Sequence, residues 1–282
     1  MPVVDAHVHV WEPASQTFPW QPIGKLRPDL SWTAQQQVTA MQQASIDQGI
    51  IVQTSWYGYD NRYGLDCLHR HPGRFAFVGM VDPAREDVEA EMERLAAQGV
   101  GGLRIPALMR PDIAWYGTSQ ADRMWRKSGE IGWALCLLVR LEQAIEAVSA
   151  IERFPQVKVV IDHIAHPELE TPMGGPLFQE LLRMARFPNI YIKVSAFPAI
   201  SKSPYPHQDV LELVQRVFDA YGPKRLMWGT DHAMTQRICH FPMKQALELV
   251  DKALKDESSE DRAWVTGGTA ARLWNLSLFS TP

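Results

Sequence analysis

The sequence has few cysteines, and it has no long apolar run. Cys67, Cys136 and Cys239 lie far apart in a chain of 282 residues, which excludes a disulfide framework or a zinc-finger spacing and favours a reducing compartment. The longest apolar run, residues 133–139, is too short to cross a bilayer. The first ten residues, MPVVDAHVHV, have no basic segment followed by an apolar core, so we expect a cytoplasmic protein.

The sequence also lacks runs of basic residues. The net charge is −4, and the Lys and Arg residues are spread along the chain, which excludes an evident patch for nucleic acid or a membrane surface. We expect a small-molecule substrate as the partner, and the sequence is compatible with a homo-oligomer. Because no linker or low-complexity segment interrupts the chain, we interpret residues 1–282 as a single domain.

Short apolar runs rich in β-formers alternate with segments of helical spacing. The runs cover residues 3–8, 50–53, 75–81, 101–105, 134–139, 158–161, 190–194 and 225–228. The helical segments cover residues 34–47, 85–98, 141–153, 176–186, 208–220, 243–255 and 261–275. Thr33 is a suitable N-cap for the first segment, and Gly99 is a suitable C-terminal glycine for the second.

This alternation predicts an α/β fold, a (β/α)8 TIM barrel. Runs that are apolar throughout are typical of parallel strands with both faces covered. Eight of them over this length fit a closed barrel. A doubly wound open sheet is the alternative, but no glycine-rich phosphate loop follows the first strand.

Polar residues stand where the first, sixth and eighth strands end. His7 and His9 are two positions apart, so their imidazoles leave the strand on the same face. His163 ends the sixth strand and Asp231 the eighth, and a barrel brings such ends together at one rim. The four predict either a site for one divalent metal, with zinc the first choice, or a metal-free acid/base cluster. Asp231 as the cap of a following helix is the alternative.

The ordered motifs DAHVH, IDH and WGTD on these three strands resemble the amidohydrolase superfamily. The resemblance is greatest to the amidohydrolase-related branch, which includes lactonases of sugar acids, muconolactones and pyrone dicarboxylates, and also a decarboxylase. It extends over GIIVQTSWYGYDN, VDP, GLRI, IKVSA and AARLWNL. It implies a barrel hydrolase with its active site on the rim that carries the four residues.

The departures from the family narrow what the resemblance implies. No Lys or Glu stands on the fourth or fifth strand to bridge two metals, since the fourth ends in GLRIP. In this context Arg104 resembles an arginine that binds a substrate carboxylate or carbonyl, with a structural ion pair as the alternative. The extra histidine of the decarboxylase is missing from the seventh strand, which disfavours that activity.

Several further residues are candidates for lesser roles. Ser55, Tyr57 and Asn61 follow the second strand and are predicted to bind substrate, although each is also compatible with a plain surface loop. His166, three residues past His163, is interpreted as a loop histidine, with a second polar contact at the site as the alternative. Lys193 lies within the seventh strand, and we expect it to pair with Asp5 or another buried acid.

The favoured function is hydrolysis of a lactone, with Asp231 as general base towards water. Whether a metal takes part is left open, because a cluster of histidines could polarise the carbonyl without one. A metal-dependent, non-oxidative decarboxylase is one alternative function. A non-catalytic binding barrel is the other.

Overall fold

One sheet of parallel strands runs through the chain in sequence order, in a computed structural model that describes residues 1–23, 31–169 and 175–276, apart from the side chains of residues 237–239. The strands are β1 (Val4–Val8), β2 (Gln48–Val52), β3 (Phe75–Gly79), β4 (Val100–Ile105), β5 (Ala134–Leu137), β6 (Lys158–Ile161), β7 (Ile190–Val194) and β8 (Leu226–Trp228). Each strand pairs with the next in parallel. All eight predicted strands are present, and the predicted (β/α)8 barrel is confirmed.

Helices connect the strands and cover the outside of the sheet. They are α1 (Ala34–Gln43), α2 (Arg62–Arg70), α3 (Val88–Ala97), α4 (Ser119–Glu130), α5 (Leu141–Glu146), α6 (Val148–Arg153), α7 (Gly175–Arg183), α8 (Phe197–Ile200), α9 (Gln208–Tyr221), α10 (Met234–Cys239), α11 (Met243–Ala253), α12 (Ser259–Ala263) and α13 (Thr269–Leu273). In the part of the chain that the structure describes, no helix is both long enough and apolar enough to cross a membrane.

The helix ends follow local rules that are visible in the sequence. Thr33 accepts the backbone N–H of Gln36 at 3.3 Å, and the Gln36 side chain accepts the N–H of Thr33 at 2.8 Å. This reciprocal capping box starts α1 as predicted. Gly99 follows α3 with a φ of +100°, a conformation that glycine adopts without a Cβ clash. Helices α2 and α4 lie outside the predicted segments, because polar residues dominate both and leave only a narrow apolar stripe.

Trp274 closes the end of the barrel opposite to the strand carboxyl ends. It packs with the apolar side chains inside the barrel, which belong to a cluster separate from the layer between strands and helices. A Cβ at Gly101 would lie 3.1 Å from its ring, and one at Gly102 would lie 2.8 Å from the carbonyl oxygen of Ala134. A side chain at Gly102 would therefore displace the backbone of β5, and one at Gly101 would press on the Trp274 ring.

Asp5 joins the two ends of the sheet. Its buried carboxylate accepts the backbone N–H of Thr230 at 2.9 Å, the Thr230 hydroxyl at 2.5 Å and the N–H of His7 at 3.1 Å. The N–H of His9 donates to the carbonyl oxygen of His232 at 2.6 Å in the same seam. Burial raises the pKa of the Asp5 carboxyl to about 7, even though these donors favour its charged form. One carboxyl group thus accepts two of the hydrogen bonds that join β1 to the turn after β8.

Replacing Asp5 by alanine should lower the free energy of unfolding by about 3 kcal/mol, because two N–H groups and a hydroxyl would be left buried without a partner. Urea unfolding measures this change. Asp47→Ala is the matched control, since the carboxylate of Asp47 is exposed and accepts the N–H of Val3 at 2.8 Å, and it should lose less than about 1 kcal/mol. Equal losses in the two variants would contradict the role given to Asp5.

Candidate active site

The carboxyl end of β1 brings two buried imidazoles into contact. His7 Nε2 lies 3.2 Å from His9 Nε2, as their spacing in the sequence predicts. His9 Nδ1 lies 2.8 Å from the carbonyl oxygen of Val52. Because a carbonyl only accepts, His9 donates from Nδ1, and in the neutral ring Nε2 then carries a lone pair.

Asp231 follows β8 and faces both imidazoles. Its Oδ1 lies 3.3 Å from His9 Nε2 and 3.8 Å from His7 Nε2, while its backbone N–H donates to the carbonyl of His7 at 2.9 Å. Burial disfavours the charged carboxylate, but its contact with His9 and the nearby Arg104 guanidinium outweigh this, and the pKa of Asp231 stays below its ordinary value. The carboxylate is therefore ionised at neutral pH.

The donor atoms of His7, His9 and Asp231 fit a divalent cation. All three lie within 4.8 Å of one another, with separations of 3.2, 3.3 and 3.8 Å. Ligands held at about 2.0–2.1 Å by a tetrahedral zinc ion are about 3.3 Å apart. The chemistry of the set also suits zinc, since neutral imidazoles and a carboxylate are among its usual ligands. Imidazole lone pairs on His7 and His9 at these distances from the Asp231 carboxylate would require a proton or a cation between them.

His163 stands beside His7 rather than at a corner of this triangle. The two rings have centroids 4.5 Å apart, and the donor atoms of His163, His7 and Asp162 form a second group within 4.8 Å. His163 Nδ1 lies 2.8 Å from the hydroxyl of Ser195, which follows β7. Burial lowers the pKa of His163 well below its ordinary value, so the ring is neutral. The four predicted residues do meet at one rim, with His7 shared by both groups.

A cavity of about 270 Å³ opens onto this rim. Its polar side is lined by His9, Thr54, Ser55, Arg104, His163, His166 and Asp231, and its apolar side by Trp56, Leu108, Met109, Leu138 and Met234. A larger hollow of about 460 Å³ lies between residues 111–117 and α5, but none of the four predicted catalytic residues lines it. The smaller cavity is therefore the candidate substrate site.

Arg104 brings a buried positive charge to the cavity wall. Its Nη1 donates to the carbonyl oxygen of Gln53 at 2.7 Å, and its Nε is buried without a partner among the described residues. Burial lowers the pKa of Arg104, and the carboxylates of Asp162 and Asp231 oppose this shift. A guanidinium keeps its proton in proteins, so Arg104 brings a positive charge to the cavity wall that can attract an anionic or carbonyl oxygen.

The residues predicted after β2 divide between the cavity and the fold. Ser55 lines the cavity. The Tyr57 hydroxyl instead accepts the N–H of Glu12 at 3.0 Å, and the Asn61 amide exchanges hydrogen bonds with the backbone of Met80 at 2.7 and 2.9 Å. Because these contacts occupy their polar groups away from the cavity lining, we assign Tyr57 and Asn61 to the support of the loop.

The structure places three further residues, His166, Lys193 and Asp162, near the site. His166 lines the cavity, so it is a loop histidine that can also contact a substrate. Lys193 pairs with Asp162 at 3.0 Å, so the expected buried acid is present but is not Asp5, whose oxygens already serve Thr230. The only signal for Asp162 was its position next to His163 in the motif IDH.

Fold and site together define a barrel enzyme whose polar groups converge where the strands end. The chain belongs to the amidohydrolase family, whose model matches residues 4–276, and the predicted resemblance is confirmed. It is therefore an enzyme, a hydrolase of this family.

Known proteins similar to this chain include two lactone hydrolases and a zinc-bound structure. The 4-sulfomuconolactone hydrolase of Hydrogenophaga intermedia is 28% identical over 231 residues, which cover 80% of this chain and 73% of that protein. The L-fucono-1,5-lactonase of Burkholderia ambifaria is 25% identical over 97% of this chain and 95% of its own. A solved amidohydrolase from Burkholderia multivorans with bound zinc has a TM-score of 0.82 and 21% identity, and covers 98% of this chain and 100% of its own. This last likeness supports the fold.

Asn61→Ala should reduce stability and leave substrate affinity almost unchanged, because the Asn61 amide bonds to the Met80 backbone. We expect a loss of about 2–3 kcal/mol in the free energy of unfolding, measured in urea. Ser55→Ala is the comparison within the same loop, since Ser55 lines the cavity, and it should act mainly on KM. A large rise in KM with unchanged stability for Asn61→Ala would restore the substrate contact predicted from the sequence.

Proposed function

We propose that the enzyme hydrolyses a lactone that carries a carboxylate group. The observation that carries this proposal is the placement of Arg104 and Asp231 on one cavity, where a guanidinium and an ionised carboxylate line the same 270 Å³ space. The names of the similar lactone hydrolases support the reaction class.

The reaction is the addition of water to the lactone carbonyl. Asp231 takes the proton of the water whose oxygen attacks the carbonyl carbon. The ring C–O bond then breaks, and the departing ring oxygen takes a proton to give a hydroxy acid. Asp231 returns to this oxygen the proton that it took from water, which regenerates the carboxylate. When His163 Nδ1 accepts from the Ser195 hydroxyl at 2.8 Å, its Nε2–H is free to donate to the carbonyl oxygen of the substrate.

One divalent cation, with zinc the best fit, would be held by His7, His9 and Asp231 with His163 beside them. It would polarise the carbonyl and lower the pKa of a water molecule at the site. Without it, the hydrogen-bond donors of the histidines would polarise the carbonyl, and a lactone is sufficiently activated for this route.

The cavity wall favours a substrate with a single anionic end. Among the lining residues that the structure describes, Arg104 is the only lysine or arginine, and a guanidinium binds a carboxylate through two parallel hydrogen bonds. The apolar side of the cavity includes Leu108, Met109, Leu138 and Met234. Their side chains offer no hydrogen bonds to the hydroxyl groups of a sugar lactone. We therefore infer a monocarboxylate lactone with an apolar remainder.

A panel of muconolactone, sugar lactones and pyrone carboxylates tests the reaction class. Wild-type enzyme should open the carboxylated lactone rings, and Asp231→Asn should lower kcat about a thousandfold because the general base is lost. Asp251→Asn, the same change at an exposed position of α11, should leave kcat unaltered. Carbon dioxide release without ring opening would instead identify a decarboxylase, and no turnover of any compound would count against catalysis on lactones. Chelator-treated enzyme that is fully active and free of zinc would remove the metal from the proposal.

Arg104→Met should raise KM for a carboxylated lactone about 50-fold and leave KM for an uncharged lactone such as δ-valerolactone almost unchanged, because the lost interaction is a charge-assisted hydrogen bond. Steady-state kinetics on the two substrates measures the difference. Arg110→Met is the control, since the guanidinium of Arg110 is already paired with Asp112 at 2.6 Å. An equal effect of Arg104→Met on both lactones would show that Arg104 does not bind the carboxylate.

A further inference from the structure

Lys193 is a fully buried lysine beneath the active site that the proposed reaction does not use. It lies on β7, and its Nζ is 3.0 Å from Asp162 Oδ1 and 3.2 Å from His7 Nδ1. The Cys136 sulfur lies 3.9 Å away, and the Trp274 ring lies 5.7 Å away. Asp162 is also fully buried, and its Oδ1 lies 3.5 Å from His7 Nδ1. The pair therefore meets the reaction centre at the rear nitrogen of His7, and the Asp162 carboxylate also lies within 4.8 Å of a donor atom of His163.

A buried pair of this kind contributes little to stability by itself. Removing two charges from water costs several kcal/mol per ion, and an apolar pair of similar volume often serves the fold as well or better. The pair nevertheless contacts His7, a histidine of the site. This placement indicates a role in the chemistry of His7.

The hydrogen bonds around His7 have a definite direction, which is set by the Lys193 ammonium because this group can only donate. His7 Nδ1 lies 3.2 Å from Lys193 Nζ and is therefore the acceptor. The other ring nitrogen, His7 Nε2, lies 3.2 Å from His9 Nε2 and 3.8 Å from Asp231 Oδ1. A neutral His7 that carries its proton on Nε2 has a lone pair on Nδ1, where the Lys193 ammonium, which only donates, lies at 3.2 Å.

We propose that Lys193 and Asp162 are positioning residues that set which nitrogen of His7 carries the proton. Without a metal, Lys193 donates to Nδ1 and holds the His7 proton on Nε2, where it points at His9. When a cation binds to the Nε2 lone pairs, His7 must carry its proton on Nδ1 instead, and Asp162 Oδ1 is the acceptor at 3.5 Å. A carboxylate behind a metal-binding histidine fixes the ring in this way. The same pair thus serves either form of the site.

Nitrogen-15 NMR of wild-type protein with labelled histidine tests the first part directly. After treatment with a chelator, His7 should show the Nε2–H tautomer, with its signals assigned by their absence in His7→Asn. Addition of one equivalent of zinc should move the His7 proton to Nδ1. A chelator-treated protein in which His7 carries its proton on Nδ1 would overturn the proposal, and this result needs no variant of the pair. The measurement is independent of the lactone substrate, so its failure leaves the proposed reaction standing.

The double variant Asp162→Asn/Lys193→Met separates positioning from simple support of the fold. It removes both charges at nearly constant volume, so Tm should stay within about 4 °C of wild type, whereas Lys193→Met alone leaves a buried carboxylate unpaired and should be less stable. In the double variant, His7 should lose its single tautomer, and kcat should fall about ten- to a hundredfold with KM within about twofold.

The surface pair Glu93 and Lys127, 2.8 Å apart, provides the matched control. Glu93→Gln/Lys127→Met removes two charges without contact to a histidine and should leave the His7 tautomer and kcat unchanged. If the buried double variant keeps both the wild-type tautomer and the wild-type kcat, Lys193 and Asp162 only fill space. If it does not fold, the spectrum of the wild-type protein still decides the question.

Discussion

Asp5 holds the first strand to the turn that follows the last strand, and the reaction centre exists only where these two segments are joined. Three donors of His7 and Thr230 converge on its carboxyl group. The next residue after Thr230 is Asp231, whose N–H donates to the His7 carbonyl. The distances of 3.3 and 3.8 Å from Asp231 to the two imidazoles are therefore a consequence of how the sheet closes. Positions that are more than 220 residues apart in sequence act together because one buried acid links their backbones.

The sequence carried enough information to predict the fold and the main polar groups. Continuous apolar runs are a strong signal when they alternate with helices, because a parallel sheet covered on both faces has no other pattern. The histidines at positions 7 and 9 share a face through the two-residue period of a strand. Their meeting with His163 and Asp231 follows from closure of the barrel, so it could be predicted without any coordinates.

The parts that could not be predicted depend on side-chain partners across the barrel. Nothing local to Lys193 shows that its ammonium meets Asp162 rather than Asp5, since the contact depends on the register of β7 with β6, in which Ile192 pairs with Ile161. Asn61 looks like any polar loop residue until the backbone of Met80, 19 positions away, is seen to occupy its amide. The apolar side of the cavity is similarly hidden, because its members come from segments that follow four different strands.

The single guanidinium of the cavity has a consequence for the end of the proposed reaction. A carboxylated lactone enters with one negative charge, and ring opening leaves a molecule with two. Among the described lining residues, Arg104 can neutralise only one of them, while the new carboxylate forms next to Asp231. Like charges at short range repel strongly where water is scarce. In the proposed reaction, the repulsion between Asp231 and the new carboxylate therefore favours release of the opened product, so that ring opening itself weakens binding.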